Sequence, residues 1–115
     1  MASLPLTSEQ AELARFLLSS GGSEAQSYLP QLERASATDW RCSCGCASFN
    51  FKISGMPEAP PGVHVLNDFL FGPDDNPCGV FIYSSGGVLS GVEVYYFGDN
   101  VPSVLPKISD LRPYA

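Results

Sequence analysis

The hydrophobic period of this chain changes once. Between Thr7 and Leu32 apolar residues recur every three to four positions, and from Thr38 onward they recur every second position. The first spacing puts apolar side chains on one stripe of a helix, and the second puts them on one face of a strand. Helices first and strands afterwards predict an α+β fold. The expected architecture is two N-terminal helices packed on an antiparallel sheet of four or five strands, with residues 1–115 forming a single domain. No βαβ alternation and no glycine-rich turn after a strand occurs, which excludes Rossmann and P-loop folds.

Residues 7–20 read as an amphipathic helix. Thr7 and Gln10 have capping-box spacing, Leu13, Ala14, Leu17 and Leu18 form its apolar stripe with Phe16 at the edge, and Ser19-Ser20-Gly21-Gly22 ends it. Ser23 and Gln26 repeat the capping spacing for a shorter helix with Tyr28, Leu29 and Leu32 on its apolar side. That helix ends near residue 29 or restarts with Pro30 in a first turn. Trp40-Arg41-Cys42 and Ser48 to Ile53 alternate as strands, with Phe49, Phe51 and Ile53 on one face. Residues 54–62, with three prolines, read as a loop, and Val63 to Phe71 as a strand. Gly72 to Pro77 is a turn, and Gly79 to Ser84 and Val88 to Phe97 flank a Ser85-Gly86-Gly87 hairpin turn, with Gly91 marking a bulge. The tail from Gly98 is expected to pack in extended form through Val104, Leu105, Ile108 and Leu111.

A length of 115 residues suits one domain, and 44% hydrophobic residues with only 16% charged exclude a disordered chain or a coiled coil. The net charge is -6, and no two of Arg15, Arg34, Arg41, Lys52, Lys107 and Arg112 are adjacent. Nucleic-acid binding needs clustered cations, so nucleic acid is excluded as a partner, and anionic membranes are disfavoured on the same ground. A basic protein partner stays open. No stretch approaches the roughly 18 apolar residues of a membrane span. Met1 to Leu6 has neither a basic nor an apolar leader region, and Glu9 and Glu12 follow, so the expected location is the cytoplasm, where thiols stay reduced.

Cys42-Ser43-Cys44-Gly45-Cys46 is the unusual local feature, with Cys78 thirty-two residues further on. Thiolates are soft ligands for Zn or Cu, so Cys42, Cys44, Cys46 and Cys78 are the candidate metal ligands. The spacing is tighter than the paired C-x2–4-C knuckles of zinc sites, and only one run is present. The competing reading is reduced structural thiols: along a strand the three side chains would share one face, about 6.5–7 Å apart at each step. A disulfide set is the third reading, with three pairings open.

His64 is the single histidine, so any Ser-His or Cys-His chemistry needs it. Asp68 would share its strand face, but about 13 Å away, too far for a dyad. Asp74 and Asp75 lie between Pro73 and Asn76-Pro77 and read as turn residues. Glu93 shares a strand face with Tyr95 and Phe97, which makes either a solvated sheet face or an interaction surface.

The second half resembles a group of small uncharacterised bacterial proteins. The resemblance rests on Cys44-Gly45-Cys46, on Gly87 to Tyr95 (Val92 standing where Leu is more usual), on Gly98-Asp99-Asn100-Val101-Pro102, and on Leu105-Pro106 and Leu111-Arg112-Pro113. It implies no activity, substrate or cofactor. The closing strand and tail also look like parts of toxin-immunity proteins. The leading expectation is therefore a non-catalytic, immunity-like interaction module that meets a protein partner through Glu93, Tyr95 and Phe97. The alternative is a metal- or thiol-site protein built on the Cys42–Cys46 run. The third is a small hydrolase or isomerase using His64 and Glu93, which requires those two groups to converge.

Overall fold

The computed structural model describes residues 3–98 and 101–113. The readings that involve Met1, Ala2, Asp99 and Asn100 lie outside the described residues. The chain runs β1 (Ser3–Leu4), α1 (Ser8–Ser19), α2 (Ser23–Gln26), α3 (Leu29–Leu32), β2 (Ala35–Thr38), β3 (Phe49–Ile53), β4 (His64–Phe71), β5 (Cys78–Ser85) and β6 (Val88–Tyr96). A single 3-10 turn, Ile108–Asp110, follows in the tail. The fold is α+β, and the sheet is antiparallel throughout, in the order β1-β2-β3-β6-β5-β4. It has six strands rather than four or five. The two additional strands are short and small-residued: Ser3–Leu4, and Ala35–Thr38, whose Ala-Ser-Ala-Thr sequence carries no apolar alternation. Their partners define them, not their side chains.

Helix α1 forms as its sequence dictates. The Gln10 amide N–H donates to Thr7 Oγ1 at 3.1 Å and the Thr7 N–H donates back to Gln10 Oε1 at 2.9 Å, completing the capping box. Leu13, Ala14, Leu17 and Leu18 are fully buried and meet Val80, Ile82, Val92 and Val94 in one core with Phe49 and Leu89. Each fully buried leucine contributes about 1.5–3 kcal/mol, so this stripe holds the helix on the sheet. No second capping box forms: Gly22 takes the N-cap position of α2, and Gln26 Nε2 instead donates to the carbonyls of Gly21, at 3.1 Å, and of Ser19, the last residue of α1. The helical segment then restarts as α3 with Pro30 in its first turn.

Gly86 and Gly87 make the two-residue turn of the β5–β6 hairpin, both with positive φ. Two bulges interrupt the ladders. Tyr83 pairs with Gly91 and Ser84 with Leu89, so Ser90 is the extra residue beside Gly91. On β4, Val65 pairs with Tyr83 and Asn67 with Ile82, which leaves Leu66 unpaired. A bulge shifts side-chain phase by one residue, and here it turns Asn67 inward to donate to the Leu17 carbonyl at 2.8 Å.

The tail is only partly as expected. Leu105 and Leu111 pack on the core, whereas Val104 is 77% exposed and Ile108 is also exposed. Arg112 forms a two-bond antiparallel bridge with Leu70 on the outer edge of β4.

β3 and β6 join through only two register pairs, Phe49 with Val92 and Asn50 with Gly91. Gly91 fits because it has no side chain: a Cβ there would lie 2.8 Å from Tyr83 Oη, 2.9 Å from Asn50 Oδ1 and 2.9 Å from the Phe49 carbonyl. Replacing Gly91 with Ala is therefore expected to cost about 1–3 kcal/mol by overpacking. Urea unfolding should show a lower midpoint with an unchanged slope; an unmoved midpoint would mean that this junction is not tightly packed.

Candidate thiol site

The segment between β2 and β3 carries the three clustered cysteines. It is not a strand at Trp40-Arg41-Cys42 as the alternation predicts. The Gly45 N–H donates to the Cys42 carbonyl at 3.1 Å, closing a tight turn, and Gly45 sits at φ 85, where a side chain would be strained. The next free donor, the Ala47 N–H, is taken by the Pro102 carbonyl at 2.9 Å. The loop therefore curls between the tail and the sheet. In a strand the thiols would stand about 6.5–7 Å apart at each step. Here the three sulfurs of Cys42, Cys44 and Cys46 all lie within 4.8 Å of one another.

Exposure grades across the set: Cys44 is exposed, Cys42 half-buried and Cys46 buried. Cys42 and Cys44 share a hydrogen bond, sulfur to sulfur, at 2.9 Å. Cys46 Sγ donates to Ser48 Oγ at 3.2 Å. Ser48 Oγ in turn accepts the Val94 N–H at 2.8 Å and donates to the Val94 carbonyl at 3.3 Å. Cys44 and Cys46 are shifted in opposite directions. Burial opposes ionisation of Cys46, but hydrogen bonds from the Ser48 hydroxyl and N–H, and from Cys44 and Cys42, outweigh it and lower its pKa. Cys44 is pushed up to about 11, because as a thiol it hydrogen-bonds to Cys42 and Cys46. The arrangement thus pairs a buried sulfur of lowered pKa with an exposed sulfur of raised pKa. A cleft of about 440 Å³ opens beside Cys46, walled by Thr7 and Gln10 at the start of α1, by Arg41, and by Ser103 and Leu105 of the tail.

Cys78 is not part of this set. It lies buried at the start of β5, paired with Phe71 and Tyr96, and burial pushes its thiol pKa up. All four cysteines are free thiols. Sequence spacing pointed to three of the cluster residues and missed Ser48. The only signal for Ser48 is that it stands out of phase with Phe49, Phe51 and Ile53 and is buried all the same.

The structure separates the other candidates. His64 pairs with Ser84 on the helix-covered face and reaches Glu24 Oε1 at 3.0 Å. Glu93 pairs with Phe81 on the opposite face. His64 and Glu93 do not converge, so no hydrolase or isomerase site forms from them. Asp68 also pairs with Phe81, so the Leu66 bulge places it on the face opposite His64 rather than on the same one. Asp74 and Asp75 occupy the β4–β5 turn, where the Asn76 N–H bonds to the Pro73 carbonyl at 3.1 Å and Asp74 approaches Arg112 at 3.6 Å. On the outer face, Tyr83, Phe81, Tyr95 and Phe97 form a continuous row of rings with centroid separations of 5.8, 5.9 and 5.5 Å. Glu93 stands exposed beside it. Burial and then the Glu93 charge raise the Tyr83 pKa.

Replacing Ser48 with Ala removes the donor that stabilises the Cys46 thiolate. The midpoint of the Cys46 alkylation-versus-pH profile, read by peptide mass analysis, should move upward, while in the unaltered protein it lies below that of Cys44. A midpoint unmoved by Ser48→Ala would show that the hydroxyl does not control this thiol. No family model matches the chain, and no curated protein or solved structure is similar to it.

Proposed function

We propose that this protein binds a thiophilic metal ion through Cys42, Cys44 and Cys46. The observation that carries the reading is the convergence of three sulfurs within 4.8 Å from one five-residue turn. Metal–thiolate bonds of about 2.3 Å place sulfurs around one ion roughly 4 Å apart, so small side-chain rotations bring the set to that spacing. Three further features support it. Hydrogen bonds lower the Cys46 pKa, its partner Ser48 fixes the sulfur from the sheet side, and the exposed Cys44 leaves an entry path for the ion. Zn and Cu both fall within the chemistry of an all-sulfur set.

Native mass spectrometry of reduced protein, purified without chelator and then given metal, tests this. One ion per chain should be retained, Cys42, Cys44 and Cys46 should resist alkylation until a chelator is added, and Cys78→Ser should bind as the unaltered chain does. Apo mass with three reactive thiols in the presence of metal would defeat the reading.

The row of four rings on the outer sheet face favours a second reading, an interaction module, for which an acidic chain of net charge -6 suits a basic protein partner. A photo-crosslinking side chain placed at Phe97 should then capture a basic protein in cells that the same group at Val104 does not. Identical adducts from both positions would remove this reading.

A further inference from the structure

The thiol set also points to which ion it takes. We infer that the site holds a single Cu(I) ion in a two- or three-coordinate all-sulfur environment, in preference to Zn(II); this rests on the metal-binding reading above. Two observations carry it. The first is donor number. The group contains three sulfurs and, among the described residues, no fourth cysteine, histidine or carboxylate joins it. Cys78 is in β5 and the single histidine is engaged with Glu24. Zn(II) in a structural site takes four protein ligands, usually from two separate knuckles, and with three it keeps an open position for water. Cu(I) is a soft, closed-shell monocation satisfied by two or three thiolates, so this set completes its coordination without help from solvent.

The second is the unequal character of the donors. Cys46 is buried and held by Ser48, so it serves as the fixed ligand. Cys42 and Cys44 share a hydrogen bond at 2.9 Å and lie nearer the surface. Each sulfur that coordinates releases its proton to solvent. A two-coordinate ion needs only Cys46 and one of the two outer sulfurs, and a three-coordinate one takes the whole set, so the uneven arrangement suits Cu(I) in either geometry.

The test is a paired titration of the full chain under anaerobic reducing conditions. Cu(I) is presented from a colorimetric Cu(I) chelator and Zn(II) from a zinc-sensitive dye, and each is then challenged with the other. The expected result is one Cu(I) per chain, retained against about a hundredfold excess of Zn(II). Cys46→Ser should abolish retention, Cys44→Ser should weaken it only partly, and Cys78→Ser should leave it unchanged. Zn(II) held with equal or greater strength would overturn the copper assignment while preserving the metal-binding reading. More than one copper per chain, or copper that bridges two chains, would overturn the mononuclear site. Binding of neither ion would overturn both proposals. Near-ultraviolet and far-ultraviolet circular dichroism of each variant separates loss of the site from loss of the fold.

Discussion

The junction between β3 and β6 joins the two halves of this sheet, and it is narrow. Two residue pairs form its register, after which Ser48 takes over from the backbone by binding both the N–H and the carbonyl of Val94. A side chain here does the work of a ladder residue. Because Ser48 is buried, an unpaired Val94 N–H at this point would cost about 1–3 kcal/mol, and the hydroxyl avoids that. Gly91 protects the other end of the junction by leaving room for the Tyr83 hydroxyl to donate to Asn50 Oδ1 at 3.1 Å. The sheet is continuous because a serine and a glycine occupy these two positions.

The thiol site depends on the same junction. Cys46 is three residues before Phe49, where β3 begins, and shares Ser48 with Val94, so its sulfur is tied to the buried part of the sheet. Ser48 has one proton to give. It goes to the Val94 carbonyl, while the Cys46 thiol donates to the same hydroxyl oxygen. The opposite face of β6 carries Glu93 and Tyr95, so the sheet stands between the thiol loop and the aromatic row rather than merging them.

Much of this architecture was legible in the sequence, for reasons that differ by element. The Thr7–Gln10 spacing and the Leu13–Leu18 stripe sufficed for α1, since a capping box and a 3.6-residue period are local signals. Alternation sufficed for β3, β5 and β6, and Gly86-Gly87 for their turn. β1 and β2 were hidden because Ser3–Leu4 and Ala35–Thr38 carry almost no apolar pattern; only their pairing makes them strands. The Leu66 bulge was hidden as well, and with it the true face of His64 relative to Asp68. For the site, the cysteine types were evident and their convergence was not. Cys42, Cys44 and Cys46 suit a strand face as well as a turn, and the choice is made by Gly45 at positive φ and by Pro102 accepting from Ala47, a partner fifty-five residues away.

The tail from Val101 onward touches both sides of the molecule. It begins at the thiol loop, where Pro102 receives the Ala47 N–H, and ends on β4, where Arg112 and Leu70 exchange two hydrogen bonds of 2.9 Å. β4 is the last strand of the sheet, so its outer backbone groups are a template for another strand. A segment with Pro102, Pro106 and Pro113 is poorly suited to continue a ladder, since proline donates no N–H. It therefore terminates the sheet instead of extending it. Arg112 thus occupies the Leu70 N–H and carbonyl that an added strand would otherwise use at this point of the edge.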